Sequence, residues 1–230
     1  MKKGIWACAL GGMLAVFAGA TSASPAAAKS SLNIIQKPII FDATRERLSL
    51  EYLKTRYGIE REKAQIEPRM VVAHWTAIPT LEASFNAMNP VELPGFRTAI
   101  GSASALNVSA HYLIDQDGTI YQLLPNTTFA RHVIGLNHTA IGIENVGNGT
   151  DQPLTEAQLE ANINLIRKLG HEFPIEYVIG HHEYTKFVDH PLFMEIDNNY
   201  RTEKSDPGDA FMNKLRAGLG ELNLKPVPQG

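Results

Sequence analysis

Tyr177-Val178-Ile179-Gly180-His181-His182-Glu183, followed downstream by Lys204-Ser205-Asp206-Pro207-Gly208, is the part of the chain around which the rest is organised. The apolar run Tyr177-Val178-Ile179 predicts a short buried strand that delivers His181 at its end, where side chains leave a sheet for solvent. Asp206 stands before Pro-Gly, a pair that breaks regular structure and sets a tight turn in front of a new helix. Both residues can reach one metal ion. Two such ligands do not complete a catalytic zinc shell, which takes three protein groups and leaves the fourth position to water. The third candidate is His74 in Met70-Val71-Val72-Ala73-His74-Trp75-Thr76, again a histidine at the end of a β-branched apolar run. Each has an ordinary alternative. A strand-end histidine is commonly a hydrogen-bonded structural residue, and an aspartate before Pro-Gly commonly caps a turn or a helix.

Working upstream from this core, Ser30 to Ile40 reads as an extended arm, and Asp42 or Thr44 caps a helix through Leu48, Tyr52 and Leu53 that stops at Gly58. Glu60 to Pro68 is a connector into the strand Met70 to His74. Pro79 at a first helical position, with Leu81, Phe85 and Met88, predicts a short helix. The stretch 89–107 is long and rich in proline, glycine and small polar residues, and loops of that length are more often functional than idle; it is expected to wall a substrate groove. Ala110 to Ile114 and Thr119 to Leu124, joined around Asp117-Gly118, predict a hairpin. Thr139 to Val146 predicts a buried strand carrying Glu144, where a carboxylate is costly unless it is paired or used. Thr155-x-x-Gln158 opens a helix through Leu159, Ile163, Ile166 and Leu169 that Gly170 ends. A last helix spans about Asp209 to Leu219, and the tail from Lys225 reads as mobile. Helices and strands interleave around a central hairpin, so the fold class is α/β, one domain with a central mixed sheet flanked by helices. The expected organisation is a leader at 1–28, an arm and helix at 29–69, a catalytic domain at 70–220 and a tail at 221–230.

The leader rests on Lys2-Lys3, the apolar run Gly4 to Ala20 and the small residues ending Ala26-Ala27-Ala28. That pattern is a secretory signal peptide, cleaved near Lys29 or after Ala23. The run is interrupted by glycines and falls short of the roughly 20 apolar residues that span a bilayer, so no stable membrane anchor is expected. The one cysteine, Cys8, lies too early for lipid attachment. Without residues 1–28 the chain has 202 residues and no cysteine, and its stability depends on a hydrophobic core. Losing two lysines leaves 19 basic against 24 acidic residues, a net charge of −5. No basic block tracks phosphates, so nucleic acid is not an expected partner. A monomer is the simplest expectation for its oligomeric state.

Five motifs in order carry a resemblance to a known family: Val72-Ala73-His74-Trp75; Val108-Ser109-Ala110-His111-Tyr112-Leu113-Ile114 with Asp117-Gly118-Thr119-Ile120-Tyr121; Ala140-Ile141-Gly142-Ile143-Glu144; Ile179-Gly180-His181; and Lys204-Ser205-Asp206-Pro207-Gly208. Together they span most of Met70 to Phe211 and resemble the zinc-dependent N-acetylmuramoyl-L-alanine amidases of the peptidoglycan-recognition-protein and phage-lysozyme type. The resemblance implies a Zn2+ site of His74, His181 and Asp206 in a groove at one side of the sheet, and peptidoglycan or a muropeptide as substrate. It implies Glu144 as general base and Lys204 as oxyanion partner; alternation on an extended segment turns Lys204 and Asp206 to one side. It also implies a substrate contact at His132. Some relatives carry a catalytic tyrosine at the position of Ala110, so here the burden falls on Glu144.

His111 is expected to be structural. The segment Tyr184 to Arg201 is an insertion relative to compact members, and it brings His182, Asp189 and His190 near as competing ligands. Two other functions share the same residues: a peptidoglycan-binding module without catalysis, and a zinc peptidase cutting within the stem peptide. Peptidoglycan lies outside the cytoplasmic membrane, in keeping with an exported, periplasmic or secreted protein.

Overall fold

A computed structural model describes Met1, Gly4 and residues 32–229; Cys8 and the remainder of the expected leader at 1–28 lie outside the described residues. The elements in chain order are β1 (Ile34–Gln36), α1 (Ala43–Tyr57), β2 (Met70–Trp75), α2 (Leu81–Met88), α3 (Thr98–Gly101), β3 (Tyr112–Ile114), β4 (Ile120–Gln122), β5 (Ala140–Asn145), α4 (Glu156–Glu172), β6 (Tyr177–Gly180) and α5 (Asp209–Ala217), with a 3-10 helix at His181–Phe187. The strands form one six-stranded sheet in the order β1-β4-β3-β5-β2-β6. Only the β3–β4 hairpin pairs antiparallel; β3–β5, β5–β2, β2–β6 and β1–β4 are parallel. The sheet is therefore mixed, as the hairpin signal predicted.

Local chemistry explains the helix ends. Asp42 accepts from the Arg45 N–H at the start of α1, and Gly58, at φ 67°, closes it in the left-handed conformation that glycine adopts without a Cβ clash. Thr155 and Gln158 form the full capping box of α4. The face of the sheet bearing Val71, Ala73, Ile141 and Ile143 packs into one continuous core with Leu165, Ile166 and Leu169 of α4 and Met212 and Leu215 of α5. Among the described residues no helix is long and apolar enough to cross a membrane.

Four expectations need correction. The arm is a strand: β1 pairs with β4, and the pairing continues through Lys37 N–H to Gln122 O and Ile39 N–H to Leu123 O. Three residues show no readable alternation, so only the tertiary partner defines them. Helix α2 is capped by Thr80, with Pro79 outside it. Gly170 does not end α4, which runs on to Glu172; a Cβ at 170 would lie 2.9 Å from the Leu222 side chain, so this glycine makes room for the C-terminal segment. That segment is docked. Leu222 and Leu224 pack on the main core, Lys225 donates its N–H to Glu176 O, and its ammonium pairs with the Glu176 carboxylate.

Candidate metal centre and active-site cleft

Successive strand residues face opposite sides, so Met70, Val72 and His74 share one face of β2, and Ala140, Gly142 and Glu144 share one face of β5. The register sets His74 directly beside Glu144. Strands β2, β3, β5 and β6 all end on the same edge, where open α/β sheets bind their ligands. His74 arrives there at the end of β2 and His181 as the first residue after β6. Asp206 is delivered by its backbone: its carbonyl accepts the His182 N–H at 2.9 Å, and His182 Nδ1 lies 3.0 Å from the same oxygen.

The donor atoms converge. His74 Nδ1 is 3.0 Å from His181 Nδ1 and 3.3 Å from Asp206 Oδ2, and His181 Nδ1 is 3.1 Å from Asp206 Oδ2. A tetrahedral zinc with bonds of about 2.0–2.1 Å has ligand–ligand edges of roughly 3.3 Å, so these spacings fit that ion within a few tenths of an ångström. Two ring nitrogens facing each other, with a carboxylate oxygen between them, form a pocket of lone pairs that a cation satisfies. Residues His74, His181 and Asp206 are 1 %, 8 % and 8 % exposed. Burial, reinforced by His74, lowers the His181 pKa to about 4. Burial alone would raise Asp206, but its close contacts with the His181 and His74 rings outweigh it and hold the carboxyl well below its usual range. Neutral imidazole and ionised carboxylate are the metal-binding forms.

Glu144 presents the opposite case. Its Oε2 is buried with no hydrogen-bond partner, and burial, partly offset by His74, pushes its pKa up to about 7. A structural role called for an arginine on a neighbouring strand, but the residues beside it are Leu113 on β3 and His74 on β2. Glu144 and the three donors line one cleft of about 410 Å³. Lys204 is exposed and lines it too, so the alternation with Asp206 holds.

Both walls of the cleft are now visible. The 89–107 loop contributes Arg97 and Ile100, and the far side contributes Tyr200 and Thr202. Arg131, 3 % exposed, ties the walls together from behind: its guanidinium donates to the carbonyls of Ile100, Ser104 and Leu106 and to the Tyr200 hydroxyl. The insertion is fastened by Arg56, which pairs at 2.6 Å with the fully buried Glu195 side chain and lies over the Tyr200 ring. The competing ligands stay out of the centre. His182 Nε2 bonds Asp209 at 3.0 Å, His190 Nε2 lies 3.2 Å from the Tyr177 hydroxyl, and Asp189 is exposed.

His132 lines the cleft, and its Nδ1 lies 3.1 Å from Nε2 of His74. Burial, followed by the neighbouring His74 and His111, lowers its pKa well below the usual value. His111 is structural, as expected: its Nδ1 accepts the Gly142 N–H and its Nε2 meets Thr128 O. Arg97, Arg131 and Tyr200 were not foreseen, because each acts through a tertiary contact that leaves no periodic or motif signal.

A three-donor pocket and a free carboxylate at the carboxyl edge of a mixed α/β sheet define a site suited to metal-assisted hydrolysis. Residues 63–209 match the family described as N-acetylmuramoyl-L-alanine amidase, and the chain belongs to that family. Over 61 residues it is 34% identical to Peptidoglycan recognition protein 3 of Mus musculus; the match covers 26% of this chain and 18% of that relative, so it spans under a fifth of the relative's length. The fold is similar to N-acetylmuramoyl-L-alanine amidase LysC from Clostridium intestinale URNW, with a TM-score of 0.53 at 21% identity over 85% of this chain and 100% of the other. It is similar also to the endolysin N-acetylmuramoyl-L-alanine amidase LysCS from the same organism, with a TM-score of 0.53 at 18% identity over 86% and 100%. At such identities these two likenesses concern the fold.

Proposed function

We propose that the chain is a zinc-dependent amidase that hydrolyses the bond between the muramyl lactyl group and L-alanine of peptidoglycan, with His74, His181 and Asp206 holding the metal. The observation that carries this reading is the convergence of those three donors beside the unpartnered Glu144 carboxylate. Zinc held there would supply Lewis acidity, able to polarise an amide carbonyl and to lower the pKa of water toward neutrality. Glu144, pushed by burial to about 7, is matched to take a proton from the attacking water and return it to the departing amine of L-alanine. The Lys204 ammonium adds positive charge where the carbonyl oxygen becomes negative. Arg97 brings a second cation to the cleft. We place this activity outside the cytoplasmic membrane; the basic start and apolar run of residues 2–20 support export.

The test is mass spectrometry of purified muropeptides incubated with the zinc-loaded chain in ¹⁸O water. The expected products are a peptide with a free L-alanine amine and a muramyl lactate carboxylate carrying one ¹⁸O. Cleavage inside the stem peptide with the lactyl–alanine bond intact would make the chain a peptidase, and tight binding with no product would make it a recognition module.

A further inference from the structure

The resemblance implies a substrate contact at His132, and the structure also sets its ring against His74. His132 Nε2 lies 3.1 Å from the carbonyl oxygen of Ala140. A carbonyl only accepts, so Nε2 carries the hydrogen. Among the described residues no carboxylate bonds to the ring; its neighbours are the edge-on ring of His74 at 5.2 Å, the edge-on ring of His111 at 6.0 Å and Gly142. In the neutral ring Nδ1 then holds a lone pair, and it is this atom that lies 3.1 Å from His74 Nε2. The bond between them requires that His74 donate from Nε2. A neutral His74 protonated on Nε2 has its free lone pair on Nδ1, the atom facing His181 and Asp206.

The backbone is arranged to hold His132 in that position. Its N–H and that of Val133 both donate to Asn137 Oδ1, at 2.8 and 2.7 Å, and Asn137 in turn donates to the Tyr57 hydroxyl. Gly142 gives the ring its space, since a Cβ there would lie 2.8 Å from the His132 ring. The glycine of Ile141-Gly142-Ile143-Glu144 thus has a physical reason to be there, because it admits the ring that orients the metal ligand on the next strand.

We infer that His132 is a positioning residue: fixed by the Ala140 carbonyl, it sets the tautomer and ring orientation of His74 so that Nδ1 is presented to the metal. The inference rests on the proposed zinc site. Partners of this kind typically contribute 10–100-fold in metal affinity.

The experiment measures zinc affinity of the whole chain by competition with a chromophoric chelator, in the absence of substrate, for wild type, His132→Phe and His132→Gln. Phenylalanine fills the space but cannot accept from His74; the glutamine side-chain oxygen can. Zinc should bind about 10–100-fold more weakly to His132→Phe, and His132→Gln should recover most of the loss. Cobalt substituted for zinc should show a changed visible spectrum in the Phe variant alone. Equal zinc affinity in wild type and His132→Phe, with the variant folded by its melting curve, would overturn the inference and leave the zinc site standing. Equal losses in the Phe and Gln variants would overturn it as well. Failure of the wild type to bind zinc would instead sink the site itself.

Discussion

The two ends of the same parallel strands treat their polar groups differently. At the amino end of β2, β5 and β6 the backbone and surface groups pair with one another: Thr139 O accepts from the N–H of Arg69 and of Met70, Thr139 Oγ1 donates to Glu67 O, Glu176 N–H donates to Arg69 O, and Arg69 pairs with Glu176 at 2.5 Å, leaving His138 Nδ1 as the exception. At the carboxyl end, three donor atoms face one another and Glu144 Oε2 faces no partner. Unsatisfied buried groups cost free energy, so a cluster of them calls for something that completes it. Polarity alone does not mark a functional end. The mark is polarity left incomplete beside an open cleft.

That contrast predicts that changes at the carboxyl end remove chemistry and leave the fold, while changes at the amino end do the reverse. The largest effect is expected for His74→Ala and His181→Ala, which should lose bound zinc and amidase activity together. Asp206→Ala should join them, because His190, the nearest spare imidazole in the sequence, is occupied by Tyr177. Elemental analysis and turnover on muropeptides check this, and full activity in all three variants would remove the site.

Next is Glu144→Gln, which keeps the shape but cannot take a proton. Turnover should fall by about 10²–10⁴ with zinc retained, the usual contribution of a general base. Loss of zinc in this variant would mean that the carboxylate is a ligand. Lys204→Met should cost roughly 10²–10³ in turnover, on the scale of one oxyanion donor, again with zinc in place. A rise in KM at constant kcat would instead place Lys204 in ground-state binding.

The same contrast explains what could be read in advance. His74, Glu144, His181 and Asp206 were legible because each ends or follows a short apolar run or precedes a Pro-Gly turn, and strand periodicity turns such positions into places on one edge. The hairpin and the α4 capping box were legible because turn and cap chemistry is local. The strand β1 was not, since its pairing with β4 bridges a long stretch of intervening chain. Gly170 looked like a helix stop because glycine is a poor helix former, but the approach of Leu222 outweighs propensity there. The Arg131 tie between the cleft walls and the Arg56–Glu195 clasp are tertiary facts with no local signature. The motif gave the position of the His132 ring and not the partners of its two nitrogens, which are tertiary contacts.

The smallest effect tests the amino end. His138 is the residue there with an unmet group: its Nδ1 is buried without a partner, and its ring stands edge-on to Tyr57 at 5.5 Å. Burial, aided by the cations Arg61 and Arg69, lowers its pKa from 6.5 to about 4. Glu144 and His138 are thus both driven toward their neutral forms, but His138 has no place among the residues lining the cleft. Its contribution should appear in stability alone. Between pH 6.5 and about 4 the unfolded chain binds a proton at this position that the folded chain refuses, so stability is present above pH 6.5 and is lost as pH falls through that window. The slope for one such group is at most about 1.4 kcal/mol per pH unit, and less here because the ring is half-buried and its charge is partly screened. His138→Gln removes the titration at similar size. The melting temperature of wild type should therefore fall faster than that of the variant from about pH 6.5 to 4, with the two curves parallel above about pH 7. Zinc content and turnover at neutral pH should be unchanged, and loss of either would show that the amino end is not insulated from the site.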